Sequence, residues 1–398
     1  MAAYLVSGTR TPVGRYGGAL SSVRPDDLAA LVVRQVVEDA GLPPEAVDEV
    51  ILGNANGAGE ENRNVARMAW LLAGFPDSVP GITVNRLCAS GMSAIALATA
   101  MVESGQADVV VAGGVESMSR APWVQAKPEK AFAKPGEIFD TSIGWRFVNP
   151  IFAAQEKTTF SMPETAEEVA RRCNISREDA DAFAVESQAR AIAAIEAGLF
   201  EAEITPVPVK DRKGNVTYVS VDEGPRAGTT AEVLARLKPV VKGGEVVTAG
   251  NSSSLNDGAS AIIVASSDAV ERYGLKARAR VVANANVGLE PAVMGLGPIP
   301  ATRKVLERAG WSVDDVDAFE INEAFATQSV ATVRELGLDP ARVNAWGGAI
   351  ALGHPLGSSG SRITLTLLSR LEQSGAERGV ATMCVGVGQG TAIAIERV

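Results

Sequence analysis

The chain carries an internal repeat, and a repeat limits the architectures open to it. Residues 37–52 and residues 306–321 both run from the end of an amphipathic helix through an Ala-Gly stop, Ala40-Gly41 and Ala309-Gly310, into a turn and a strand. Gly41 and Gly310 suit the left-handed position that follows a helix. A second pair recurs at about the same offset. Ser90-Gly91 opens a small, apolar segment ending at Glu103-Ser104-Gly105, and a strand follows from Asp108 to Ala112. Ser359-Gly360 opens a helix ending at Gln373-Ser374-Gly375, and its strand runs from Gly379 to Cys384. Two pairs in one register indicate a duplication. Strands alternating with helices make both halves α/β.

The stretch between the halves has a different character. It divides the 398 residues into a first half over 1–120, an inserted loop domain over 121–247 and a second half over 248–398. Ala121–Lys157 is rich in Lys, Pro and aromatics without periodicity, and a long irregular segment in a compact protein is expected to act as a lid. A helix is expected from Ser176 to Ala197, with Ser176 as its cap and Glu178 and Asp179 in its first turn. Ile204–Val221 alternates like strands around Lys213-Gly214-Asn215.

Composition narrows the functions. With 46% hydrophobic residues the chain can bury a sizeable core, and 21% charged residues is too ordinary for a disordered one. A net charge of −10 argues against sequence-independent binding to nucleic acid or an anionic membrane, which needs a basic face. A phosphate-bearing ligand held by a few local cations or helix N-termini stays open. The cysteines, Cys88, Cys173 and Cys384, are odd in number and widely spaced, so no disulfide framework is expected. His354 is the only histidine, and no short-spaced ligand set points to a metal. Met1 to Gly8 reads as a strand rather than a signal peptide, and no apolar run approaches the ~20 residues of a membrane span. A soluble, cytoplasmic protein is expected.

Four segments carry residues suited to chemistry. In Asn85-Arg86-Leu87-Cys88-Ala89-Ser90-Gly91, Cys88 falls at a helix start, where the dipole and free N–H groups favour a thiolate. A small buried hydrophobe fits that position as well. His354 stands in the glycine loop from Gly347 to Gly357, before a helix. A neutral imidazole can take a proton from a thiol and then donate to an oxyanion, although a lone histidine is often structural. Cys384-Val385-Gly386-Val387-Gly388-Gln389-Gly390 ends a strand. Its glycines offer N–H groups for an oxyanion hole, or form an ordinary turn. Asn322, in Asn322-Glu323-Ala324-Phe325 after a strand, can cap a helix or anchor a water. Ligands sit at the strand ends of α/β sheets, so matching halves would bring the four together.

These segments, with Gly113-Gly114-Val115-Glu116-Ser117-Met118-Ser119, resemble the thiolase family over essentially the whole chain. Met162-Pro163-Glu164-Thr165-Ala166, Gly144-Trp145-Arg146-Phe147 and the Gly386–Gly390 tail are most similar to the bacterial 3-oxoadipyl-CoA thiolases of aromatic-acid degradation. The resemblance implies a five-layered α/β/α/β/α core, with the insert as lid and CoA platform, in a homodimer or a tetramer of two dimers. Coenzyme A is then a substrate, and no cofactor is implied. Cys88 is implied as the nucleophile activated by His354, and Cys384 as the proton carrier. His354 and a water held by Asn322 would face one oxyanion, and the N–H groups of Cys88 and Gly386 the other. Arg226, Ser253, Leu255, Met294 and Phe325 match family positions near CoA.

The chain departs from its relatives in two places. Ser161-Met162-Pro163 replaces a common His-Met-Gly segment at the acyl pocket, and Ser254 puts a side chain where many members have none. Arg146 beside Trp145 in the lid is expected to pair with a substrate carboxylate, whose desolvation would otherwise be costly. A surface or interface arginine is the plainer reading of the same residue. The expected activity is making or cleaving short 3-oxoacyl-CoA through an acyl-cysteine. Alternatives are an acetoacetyl-CoA thiolase, a ketosynthase of the same fold, a non-catalytic acyl-CoA binder and a cysteine hydrolase. A ketosynthase commonly needs a second His or an Asn beside the cysteine; the binder would not need both cysteines, and the hydrolase has no use for Cys384.

Overall fold

The computed structural model describes residues 2–398, and the repeat appears in it as strand order. The first half supplies β1 (Ala3–Arg10), β2 (Glu49–Gly53), β3 (Gly81–Val84), β4 (Val109–Ser117) and β5 (Asn256–Ser266), in the order β3-β2-β4-β5-β1. The second supplies β6 (Ala279–Gly288), β7 (Ala318–Ile321), β8 (Arg378–Val385) and β9 (Gln389–Arg397), in the order β7-β8-β9-β6. The directions agree pair by pair. β2/β4 and β7/β8 are parallel, while β4/β5, β8/β9, β5/β1 and β9/β6 are antiparallel. The edge strand β3, parallel to β2, is echoed by a parallel bridge between Phe319 and Val343. Tyr4 and Leu5 of β1 pair with Arg280 and Ala279 of β6, so the two halves share one continuous sheet.

Strand pairing corrects the expected division at residue 248. β5 follows the insert, yet its ladder partners are β4 and β1, and it is buried along its length. The first half is therefore complete only at Ser266. The insert interrupts this half rather than separating the two.

Five layers result. Residues of α1 (Pro25–Asp39) and α2 (Val65–Leu72) pack with Val50 and Leu52 of β2 in one outer core. Residues of α6 (Pro298–Ala309) and α7 (Ala326–Leu336) pack with Phe319, Ile321 and Val380 in the other. Between the two halves of that sheet lie α3 (Ser90–Glu103) and α8 (Leu356–Ser374), touching Ile51 and Ile262 on one side and Met383 and Ile393 on the other. Alternate strand residues thus feed alternate layers, as the pleat requires. The two central helices meet through glycines at matching places in the repeat. A Cβ on Gly91 would stand 2.6 Å from Ser361 Oγ, and one on Gly360 would stand 2.4 Å from Met92 N. Only glycine allows this approach, and it brings the two helix starts together.

The insert holds α4 (Met162–Cys173) and α5 (Arg177–Glu196). Ser176 caps α5 as its sequence suggests. Its Oγ accepts from Asp179 N at 3.0 Å, and the Asp179 carboxylate accepts from Ser176 N at 3.2 Å. Val207–Lys210 and Val216–Val219 form the hairpin. Ala121–Lys157 is mostly irregular, with one short ladder between Trp123–Gln125 and Ile138–Asp140. Among the described residues, no helix is long and apolar enough to cross a membrane.

Candidate active site

Cys88 sits in a short 3-10 turn, Leu87–Ala89, between β3 and α3. Ser90 fixes the turn, since its hydroxyl accepts from Arg86 N at 2.9 Å and donates to Leu87 O at 2.7 Å. Leu87 is held at φ 48°, a left-handed backbone that costs about 1–2 kcal/mol without a glycine. Asn85 Oδ1 keeps it there by accepting from Leu87 N at 2.8 Å. Val387, just after Gly386, sits at φ 61°, rarer still for a β-branched residue. Backbone strain on both flanks of one sulfur fits a site over-determined by its surroundings.

The thiolate favoured by the helix start is opposed by burial. Burial pushes the Cys88 thiol up to about 11, opposed by the N–H groups of Gly386 and of Cys88 itself. Desolvation outweighs the helix start. For the sulfur to become a nucleophile, a base would have to take the proton.

His354 has the form such a base needs. Burial, then the charge of Arg362, pushes its imidazole down to about 3, so it is neutral at working pH. Nδ1 lies 2.6 Å from Ser359 Oγ, whose own hydrogen goes to Pro355 O at 3.0 Å. Ser359 therefore accepts, Nδ1 carries the proton, and Nε2 keeps the lone pair. Nδ2 of Asn322, just past the end of β7, donates toward Nε2 at 3.4 Å. Asn322 Oδ1 is buried without a partner among the described residues, an acceptor suited to holding a water.

Cys384 lies in β8, fully buried. Burial, then the nearby Cys88, pushes its thiol far up. Its S–H points to Gln328 Oε1 at 3.9 Å, an oxygen that also accepts from Phe325 N at 3.3 Å. A thiol that resists ionisation returns a proton readily once it has given one up.

Two cavities meet at Cys88. One of about 260 Å³ is lined by Cys88, His354 and Cys384 together with Ser253, Leu255, Met294, Phe325 and Met162. The other, of about 370 Å³, is lined by Cys88, Gly386, Met162, Trp145, Arg146 and Glu116. Arg226 stands apart from the rest of the named residues. It is exposed and lines neither cavity, and its backbone N donates to Gln188 Oε1 at 2.8 Å. Cys173 is half-buried. No group of three or more His, Cys, Asp or Glu able to hold a metal occurs among the described residues.

Several residues that shape the site escaped the sequence reading. Ser359 figured there only as a repeat marker, and Gln328 not at all. Glu323 is buried and accepts from Ser187 Oγ at 2.6 Å, Asn344 Nδ2 at 2.8 Å and Ile350 N at 3.1 Å. It ties the strand end bearing Asn322 to the loop bearing His354. Glu116 accepts from Ala55 N and Gly357 N, both at 2.9 Å, and burial pushes it up to about 7. The available signal was a carboxylate at the end of the apolar run Val109–Val115, since such a group is rarely buried without partners.

Two family models, described as the thiolase N-terminal domain and the thiolase C-terminal domain, match residues 3–268 and 275–397. They divide the chain between β5 and β6, where the strand pairing also divides it. The chain is 56% identical over 398 residues to the beta-ketoadipyl-CoA thiolase of Pseudomonas knackmussii, with 99% of each chain covered. It is 55% identical to the 3-oxoadipyl-CoA/3-oxo-5,6-dehydrosuberyl-CoA thiolase of Escherichia coli, covering 100% of this chain and 99% of that one. Its fold matches the crystal structure of the Bacillus anthracis acetyl-CoA acetyltransferase with a TM-score of 0.93 and 42% identity, covering 100% of this chain and 99% of that one.

Proposed function

The chain belongs to the thiolase family and is an acyltransferase, and from that premise we propose that it makes or cleaves a short 3-oxoacyl-CoA with a distal carboxylate, of the 3-oxoadipyl-CoA kind. The observation that carries this reading is Arg146. It lines the cavity that opens on Cys88 away from His354 and Cys384. Among the described residues its guanidinium meets only Asn56 Oδ1, at 3.4 Å, and no carboxylate. A free guanidinium beside an acyl-cysteine offers a bidentate seat for a carboxylate. The names of the relatives at 55–56% identity agree.

The residues then divide the work as follows. Coenzyme A enters as a substrate along the wall of Ser253, Leu255, Met294 and Phe325, with Arg226 beyond it, and no bound cofactor takes part. Nε2 of His354 takes the proton of Cys88, and the sulfur attacks the 3-oxo carbon. The N–H groups of Cys88 and Gly386, and His354 with a water on Asn322, stabilise the oxyanions. The Cα–Cβ bond breaks, leaving acyl-Cys88, and Cys384 gives its proton to the acetyl-CoA carbanion. CoA then passes its thiol proton to Cys384 and takes the acyl group. The released Cys88 recovers its proton from His354. CoA thioesters are intracellular metabolites, which fits the cytoplasm. Nothing pairs with the outer edge of β3 among the described residues, and Ile82 on it is exposed, which fits a homodimer or a larger homo-oligomer.

The test compares kcat/KM for 3-oxoadipyl-CoA and acetoacetyl-CoA in the wild type and in Arg146→Ala. Loss of a charged hydrogen bond predicts a drop of about 10- to 100-fold on the dicarboxylic substrate, with little change on acetoacetyl-CoA. A proportional loss on both would make Arg146 structural. A wild type that strongly prefers acetoacetyl-CoA would remove the carboxylate reading.

A further inference from the structure

His354 is also held through its backbone, by a side chain that has no part in the scheme above. Asn256 opens β5 and is fully buried. Its Oδ1 accepts from His354 N at 2.9 Å and from Ser254 Oγ at 2.9 Å. Its Nδ2 donates to Gly14 O at 2.9 Å. These partners fix the amide, because a backbone N–H only donates and a carbonyl oxygen only accepts. Gly353 shows how closely the loop lies on this amide. At φ 111°, a Cβ there would stand 2.5 Å from Asn256 Cγ. Ser254 stands in the wall of the cavity that holds both cysteines. A line of hydrogen bonds therefore runs from that wall through Asn256 to the backbone of the base.

We propose that Asn256 is a positioning residue for His354 and that Ser254 acts through it, so that the imidazole stands where it can take the proton of Cys88. The inference rests on Cys88 being the acylated nucleophile. Ser359 and Asn322 set the tautomer and orientation of the ring, while Asn256 sets where the residue bearing the ring begins. Without Asn256, the N–H of His354, the carbonyl of Gly14 and the hydroxyl of Ser254 all lose a buried partner. A loop pinned at a glycine-only φ is then free to drift, and a displacement of about 1 Å at a reacting group can cost about 10²-fold in rate.

The experiment is single-turnover acetylation of Cys88 by acetyl-CoA, read by peptide mass spectrometry, in the wild type, Ser254→Ala, Asn256→Ala and the double variant. The half-saturating acetyl-CoA concentration and the melting temperature are measured alongside. Asn256→Ala should acetylate about 10²-fold more slowly with nearly unchanged saturation. Ser254→Ala, which loses one neutral hydrogen bond, should be about 2- to 10-fold slower. In the Asn256→Ala background it should add nothing, since a residue acting through another shows full coupling. Near-normal acetylation by Asn256→Ala would overturn the proposal, as would a Ser254 effect that survives without Asn256. If Asn256→Ala fails to fold, Ser254→Ala decides alone. Slower acetylation at unchanged saturation upholds the proposal, and a normal rate, or a loss explained by weaker binding, overturns it. A wild type labelled away from Cys88 would overturn the nucleophile reading and this inference with it, whereas a wild type labelled at Cys88 beside unaffected variants overturns this inference alone.

Discussion

Cys88 and His354 line one cavity as two neutral groups, and this has a consequence in pH. The thiol is pushed from an ordinary 9.0 up to about 11, so its thiolate fraction grows only as pH climbs through that range. Alkylation of Cys88 by an uncharged haloacetamide, followed by peptide mass spectrometry, should therefore keep rising above pH 9. A plateau already reached near pH 7 would show a resident thiolate–imidazolium pair instead. In the proposed scheme Cys384 has a separate task, and Cys384→Ala should separate the half-reactions. Acyl exchange between Cys88 and CoA survives in part, while carbon–carbon cleavage falls by at least the roughly 10²–10⁴-fold of an acid–base contribution. Near-normal thiolysis by that variant would exclude Cys384 as the proton carrier. Cys88, His354 and Cys384 were legible in the sequence because they are rare: one histidine and three cysteines leave few candidates. Ser359, Gln328 and Asn256 were not, because they are common polar residues whose task exists only through tertiary contacts. The opposition to a thiolate was hidden for a related reason. A helix start is read locally, but the burial that outweighs it is supplied by the surrounding fold.

The crossing of α3 and α8 sets the spacing of everything ahead of those helices. Gly91 and Gly360 carry it, each pressed against the start of the other helix. Gly360→Ala would set a methyl group 2.4 Å from the backbone N of Met92. Relief requires the helices to part, at a cost of about 1–3 kcal/mol. Urea unfolding should register that loss, and acetylation of Cys88 should slow with it. A variant as stable as the wild type would show that the crossing can slide. The helices and strands of both halves could be read beforehand, since each repeat spelled out a helix end, a glycine stop and an apolar strand. The partner of β5 could not. A strand's own sequence records that it is buried, as every residue of β5 is, but not which strand lies beside it. The second half's counterpart of β3 was equally hidden, because it has shrunk to a single bridge at Val343.

A duplicated fold interrupted by a long insert must keep its three parts in one unit, and a buried ion cluster supplies a link. Arg10, in β1, donates to Glu203 at 2.9 Å and grips Asp222 with bonds of 2.7 and 2.9 Å. Both carboxylates belong to the insert. Glu203 also accepts from Thr366 Oγ1 at 3.1 Å and Ser369 Oγ at 3.2 Å, both on α8 of the second half. The guanidinium lies 5.0 Å from the ring centroid of Phe200, and that ring meets Trp346 edge-on at 5.6 Å. First half, insert and second half thus converge on one desolvated arginine. Such a cluster adds little net stability over a well-packed apolar one, but removing one partner strands the others without compensation. Arg10→Met leaves two carboxylates buried side by side and should lower the free energy of unfolding by roughly 3–5 kcal/mol. The shape of the transition carries further information. If the cluster couples the parts, wild-type urea unfolding followed by far-ultraviolet circular dichroism and by tryptophan fluorescence should give coincident curves, and Arg10→Met should make them separate as the insert loosens first. Curves that stay coincident in the variant, merely shifted to lower urea, would show that packing alone holds the insert to the two halves.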